Sequence, residues 1–274
     1  MRGGDARAAC DGAQVKSARL RISEGATLLE RCELLRDCGF DGVDAVTPSD
    51  LDVEALQRAA AAVGIEVANV LAGRSLRWTL ADPHPQIRTH GREGLEQSLR
   101  DAAVLGSSSV MLPSFLPEGV TPEAARDTTA EELRRVLPLA EELGVCIAIE
   151  NCWNGFLDSA EALAEFVDSF ESPLVVVFFD VGDVAPLGEP QDWIHVLGSH
   201  IHKVDLKDFD CERARRVGID HGEELELGAG DCHWGAVARA FRDVGFDGWM
   251  SAELTGSGRE LLTHASAAMD ALFA

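Results

Sequence analysis

Short apolar runs alternate with longer amphipathic stretches along almost the whole chain. Runs such as VCIAIE (145–150), LVVVFFD (174–180) and IHKVDLKD (201–208) have the length of strands. The stretches between them repeat apolar residues at helical spacing and are stopped by glycine. The pattern predicts strands near Ala18–Ile22, Gly42–Val46, Glu66–Leu71, Ser109–Leu112, Val145–Ile149, Leu174–Phe179, His200–Leu206 and Trp249–Ala252. It predicts helices over Ala26–Asp37, Leu51–Val63, Ile87–Leu105, Pro122–Leu143, Ser159–Phe170, Trp193–Leu197, Trp234–Val244 and Gly258–Leu272. Ser49 or Asp50 reads as the cap of the second helix, and Thr121 as the cap of the fourth, with Pro122 at its first position. The motif Gly-Phe-Asp-Gly recurs at 39–42 and 245–248 and marks two equivalent helix-to-strand joints.

Eight βα units in succession imply a parallel sheet. Their number and the chain length imply closure: an α/β fold, a single-domain (β/α)8 TIM barrel of the usual size of roughly 250 residues. The barrel is expected over residues 15–274, preceded by a flexible segment of residues 1–14. The rival, an open doubly wound sheet, calls for a Gly-rich phosphate turn after its first strand, and none is found there.

Four of the apolar runs end in or contain an acid: Glu150, Asp180, Asp205 and Glu253. An ionised carboxylate beside buried strand residues is costly unless something compensates it. A barrel gathers such groups at the C-terminal mouth of its strands, where a divalent cation would offset their repulsion. An oxygen-only donor set favours Mg2+ or Mn2+. The plain alternative is four unrelated polar strand ends.

The strand around Asp205 holds several candidates. Side chains alternate faces, and apolar Val204 and Leu206 belong on the outer wall, so Asp205, Lys203 and Lys207 point inward. His202 then points outward and becomes a ligand or substrate contact only if a bulge shifts the register. Lys203 and Lys207 could neutralise the acids. Lys207 could instead pair with Asp205 and leave three ligands, or no metal binds and the lysines balance the acids alone.

Composition narrows the partners. Forty-seven acidic residues against 24 basic ones give a formal net charge of −23, which repels nucleic acid phosphates and suits a solvated surface. Seven cysteines without a C-x-x-C pair indicate neither a zinc ribbon nor a disulfide framework. No apolar stretch reads as a secretory signal or a membrane span, so a cytoplasmic protein with no membrane partner is expected.

Five segments together carry a resemblance: IENCWN with Glu150, FFDVGDV with Asp180 and Asp183, KVDLKDFD with Asp205 to Asp208, LGAGDCHW (227–234), and GFDGWMSAEL with Glu253. The chain resembles the xylose isomerase-like barrels of the sugar phosphate isomerase/epimerase group over roughly residues 17–272. That resemblance implies a metal held by Glu150, Asp180, Asp205 and Glu253, with Asp205 standing where a histidine is usual. It also implies Glu150 and Glu253 as the base and acid that exchange protons with one substrate carbon. Asp183 stands where the family often has His or Asn. Asp183, Lys207, Trp153 and His202 are the candidate substrate contacts, with Trp153 and Phe156 as sugar walls or as ordinary loop aromatics.

The turn Thr255–Gly258 offers backbone N–H groups at a helix start, suited to phosphate; as a bare Gly-Ser-Gly turn it is also common. The expected partner is a carbohydrate-like small molecule, and a homo-oligomer would follow from family analogy alone. Three readings stand open. One is an isomerase or epimerase working through an enediolate, on a sugar, sugar phosphate or related ketone. Another is a metal-dependent lyase, dehydratase or C-glycoside-cleaving enzyme on the same barrel. The third is a metal-free binding protein.

Overall fold

The structure, a computed structural model, describes residues 14–75, 77–222 and 225–274. Residues 1–13 of the segment expected to be flexible, Cys10 among them, lie outside the described residues. In chain order the elements are β1 (Lys16–Arg19), α1 (Leu28–Asp37), β2 (Gly42–Thr47), α2 (Val53–Val63), β3 (Glu66–Ala72) and α3 (Pro85–Leu105). Then come β4 (Ser109–Pro113), α4 (Pro122–Leu143), β5 (Cys146–Glu150), α5 (Ala160–Asp168), β6 (Val175–Asp180), α6 (Val181–Val184) and α7 (Pro190–Leu197). The last are β7 (Ile201–Leu206), α8 (Cys211–Val217), α9 (Trp234–Val244), β8 (Met250–Ala252) and α10 (Arg259–Phe273). The eight strands are parallel and close into a barrel, each paired with its sequence neighbours and β8 returning to β1.

Local chemistry sets the boundaries. Thr27 and Glu30 form a reciprocal capping box at the start of α1. The Asp52 carboxylate, rather than Ser49 or Asp50, accepts from Ala55 N at 2.8 Å and caps α2. Thr121 caps α4 with Pro122 behind it, as the sequence predicts. Gly39 and Gly245 in the repeated motif adopt φ of +90° and +70°, a conformation that a β-carbon disfavours.

Three elements depart from the sequence expectation. The first strand is Lys16–Arg19, not Ala18–Ile22, and residues Leu20–Ile22 form a 3-10 turn. In addition, α6 and α8 were not anticipated. Both are short turns beyond the strand mouths, held by Asp180 and Asp210 accepting from backbone N–H groups.

The main core lies between the sheet's outer face and the helices: Val43, Val110, Ile147, Val177, Val204 and Met250 are fully buried there. The interior of the barrel is far more polar. Ser17 bonds Ser251 (2.7 Å), Ser109 bonds Asn69 (3.3 Å), and Lys203 donates to the Ala68 carbonyl. Met111, Ala148 and Phe178 form a separate small apolar cluster. This polar interior is the platform for what sits above it.

Candidate metal and catalytic centre

At the C-terminal mouth, Glu150, Asp180, Asp205 and Glu253 each offer one oxygen, and these four atoms lie within 4.8 Å of one another. Each sits within one residue of the end of its strand, β5, β6, β7 and β8 respectively. The first three are buried and Glu253 is about a quarter exposed.

Two cations thread this cluster. Lys207, one step beyond β7, sets its Nζ 2.8 Å from Asp183 Oδ1, 3.3 Å from Asp180 Oδ2 and 3.5 Å from Glu253 Oε2. Arg19, at the end of β1, is wholly inside the barrel. Its guanidinium contacts Asp44 Oδ2 at 3.2 Å, closely engages Asp205 Oδ2, and lies 3.8 Å from Glu253 Oε1. Sequence reasoning missed both Arg19 and Asp44. The signal for Asp44 was there: an acid flanked by apolar Val43 and Ala45, the same pattern that singled out the other four. The Lys203 ammonium donates to the Ala68 carbonyl inside the barrel.

The other candidates separate clearly. Asp183 is brought to the site: its N–H donates to Asp180 Oδ1 (2.8 Å), and its carboxylate meets Lys207. His202 is not. The pairing of β6 with β7 does slip by one residue, from Val177–Ile201 to Phe178–Lys203. The slip falls at His202 itself and leaves Asp205 inside. His202 lies near the start of β7, away from the carboxylate cluster at the mouth, with Nε2 3.1 Å from Ser108 Oγ just before the start of β4. Phe156 packs edge-on against Phe166 of α5 at 5.9 Å, as a core aromatic rather than a sugar wall. Trp153 is partly exposed on the loop after β5.

Electrostatics splits the two glutamates. Burial, reinforced by the charge on Glu253, pushes the Glu150 carboxyl well above its ordinary value. Burial acts on Glu253 in the same sense, but Lys207 and Arg19 outweigh it and hold that carboxyl down at about 2. Burial also raises Asp180 and Asp205, against the pull of Lys207 on one and Arg19 on the other. Environments that drive two carboxyls apart create one proton donor and one acceptor.

The donor set fits a divalent cation. Six carboxylates (Asp44, Glu150, Asp180, Asp183, Asp205, Glu253) surround the two cations Arg19 and Lys207. Asp205 Oδ1 is buried without a hydrogen bond, a costly state for a carboxylate oxygen that an ion would relieve. The donors are all oxygens, the hard set that Mg2+, Ca2+ and Mn2+ prefer.

A closed eight-stranded α/β barrel with an acidic, cation-threaded centre at its C-terminal mouth is the class that fold and site define. The chain belongs to the xylose isomerase-like TIM barrel family, which it matches over residues 32–272. It is 25% identical over 185 residues to an uncharacterized protein of Methanocaldococcus jannaschii, a match covering 63% of this chain and 59% of that protein. It is 26% identical over 192 residues to an Escherichia coli protein provisionally named L-ribulose-5-phosphate 3-epimerase SgbU, covering 65% of this chain and 67% of the relative. Among solved structures, a D-tagatose 3-epimerase-like protein superimposes with a TM-score of 0.80 at 20% identity, over 94% of this chain and 97% of the other. Among the described residues, no helix is long and apolar enough to cross a membrane.

Proposed function

We propose that this protein is a sugar isomerase or epimerase that moves a proton at a carbon beside a ketose carbonyl. The observation that carries the reading is the pair Glu150 and Glu253, adjacent in one carboxylate cluster, the first carboxyl pushed up by burial and the second pulled down by Lys207 and Arg19. The family membership and the epimerase names of its relatives support it.

A proton next to a carbonyl is weakly acidic, so its removal needs a placed base and a partner for the oxygen that gains charge. Glu253, kept ionised by Lys207 and Arg19, takes the proton from carbon. Glu150, whose carboxyl burial pushes up, returns a proton to the same carbon from the other side, and the net result is inversion. Lys207 fixes Glu253 and Asp180 in place, and Asp183 holds Lys207. Glu150, Asp180, Asp205 and Glu253 would hold a divalent ion, Mn2+ or Mg2+, whose chemistry is to polarise the carbonyl and offset the charge of the enediolate.

The test is solvent deuterium exchange into a panel of ketoses, with Mn2+ or Mg2+ supplied. The expected result is deuterium at the carbon next to the carbonyl, and loss of about 10²-fold or more in rate in Glu150→Gln and Glu253→Gln. Full exchange in either variant would remove that glutamate from the proton relay. Exchange into no ketose would overturn the reading.

A further inference from the structure

We infer that the substrate of this centre carries no phosphate, because the chain's own carboxylates fill the places where such a barrel offers phosphate its N–H groups. The inference rests on the reading of the site as a proton-transfer centre for a sugar and adds the charge of the sugar's far end.

Barrels of this class take phosphate on the loops after strands 7 and 8 and at a helix start nearby. After β7 the glycine-rich run 227–232 forms a concave set of backbone N–H groups, the kind of nest that closes on an oxyanion. Here it closes on Asp208. Gly228 N and Gly230 N donate to Asp208 Oδ2 at 2.8 and 3.0 Å, Cys232 N to Oδ1 at 3.3 Å, and Trp234 Nε1 to Oδ2 at 2.8 Å. A β-carbon at Gly230 would lie 2.4 Å from Asp208 Oδ1, so glycine is required for the carboxylate to sit there. Burial raises the Asp208 carboxyl, but the Trp234 and Gly230 hydrogen bonds bring it below its ordinary value, so it stays charged. The start of α8 is filled the same way: Arg213 N donates to Asp210 (2.7 Å) and Cys211 N to Asp231 (2.8 Å).

After β8 acids flank the turn, and its Gly258 N–H is taken by a backbone carbonyl. Ser257 Oγ donates to Glu24 Oε1 at 3.0 Å, Gly258 N is bonded to the Ile22 carbonyl at 3.0 Å, and Glu260 stands in the first turn of α10. A phosphate seated on this turn would meet Glu24 and Glu260 at close range. Beside it lies a cavity of about 440 Å³ lined by Leu225, Glu226, Leu254, Thr255 and Leu261. Among the described residues that lining suits an uncharged, partly apolar end and includes no cation. Lys207 is already committed to Asp180, Asp183 and Glu253.

The experiment compares D-ribulose with D-ribulose 5-phosphate in the exchange assay, and titrates inorganic phosphate by 31P NMR. We expect kcat/KM for the free sugar to exceed that for the phosphate by at least about 10²-fold, the size of a 2.7 kcal/mol discrimination. We also expect no phosphate binding below 10 mM, an order-of-magnitude bound for a site that has to bring together like charges. Glu24→Gln, an exposed change outside the proton relay, should narrow the kcat/KM ratio at least threefold. Equal or faster turnover of the phosphate overturns the inference, as does phosphate binding at about 1 mM or tighter. An unchanged ratio in Glu24→Gln overturns the role of that residue. Exchange into neither sugar would count against the proton-transfer reading, whereas the phosphate titration still decides the present question.

Discussion

Replacing Arg19 by methionine removes a guanidinium buried inside the barrel while keeping its bulk. Arg19 faces Asp44 at 3.2 Å and Asp205 more closely still, and all three side chains are essentially unexposed. At an effective dielectric constant of about 20, a pair at 3.2 Å is worth about 5 kcal/mol of attraction. Most of that attraction offsets the cost of taking the charges out of water. The quantity that survives truncation is the penalty of leaving carboxylates buried without a counter-charge, about 3–5 kcal/mol. A typical folded domain has only about 5–15 kcal/mol to lose, so the metal-free variant should be close to unfolding at pH 7–8.

Urea denaturation of metal-free wild type and Arg19→Met measures this directly. Adding Asp205→Asn to the variant should return about 1–3 kcal/mol, because one unpaired buried group is then neutral. A divalent cation should also rescue it. Binding at a hundred times Kd stabilises any protein by about 2.7 kcal/mol, and the variant should gain more than wild type, since Arg19 competes with an ion for Asp205 and Glu253. A loss smaller than about 1 kcal/mol in metal-free Arg19→Met would refute the reasoning: the ion pairs of Arg19 with Asp44 and Asp205 could not then matter to the fold.

The remaining expectations concern groups around the centre. Burial, with Lys203 beside it, holds His202 down at about 3, so the fold keeps it neutral while the unfolded chain takes up a proton below about 6.5. Its contribution to stability is therefore intact above about pH 6.5. It is lost as pH falls toward 3, at up to about 1.4 kcal/mol per pH unit. His202→Gln should flatten this acid limb of the stability curve, and identical slopes would refute the assignment. Gly182→Ala places a methyl 2.4 Å from Lys207 Cγ and 2.8 Å from its carbonyl oxygen. Overpacking of this kind costs about 1–3 kcal/mol. It should displace Lys207 and slow deuterium exchange by about tenfold, the effect of one transition-state interaction worth about 1.4 kcal/mol. Wild-type exchange with a lowered melting temperature would show that Lys207 is dispensable.

The elements most visible in the sequence were those whose apolar run and cap agree. α4 and α9 carry the bounds expected of them, because Thr121, Pro122 and Gly144 bracket the first and Trp234 and Gly245 the second. The four carboxylates were visible because each follows a run that can only be a wall strand. β1 was shifted because KSAR has no apolar run: Ser17 and Arg19 face the lumen, Lys16 packs against Ser266 and Asp270 of α10, and only Ala18 is apolar. That shift hid Arg19, and with it the partner of Asp205. The fate of the turn at 255–258 was equally hidden, since Glu24 comes from the other end of the chain.

Asp205 looked like a defect because a histidine is usual at its position in the proteins this chain resembles. The structure supplies the compensation. A neutral imidazole there would add no charge to the mouth, whereas an aspartate adds one negative charge. Arg19, reaching across from β1, returns one positive charge and engages Asp205 Oδ2, leaving Oδ1 buried and without a hydrogen bond. Taken by themselves, Asp205 and Arg19 therefore sum to no charge, as a neutral imidazole at that position would. The price is a guanidinium whose Nε is buried without a partner. Such a pair is worthwhile only where both members are held rigidly. Arg19 sits on the strand that closes the barrel against β8, so the ion pair and the closure of the sheet depend on each other.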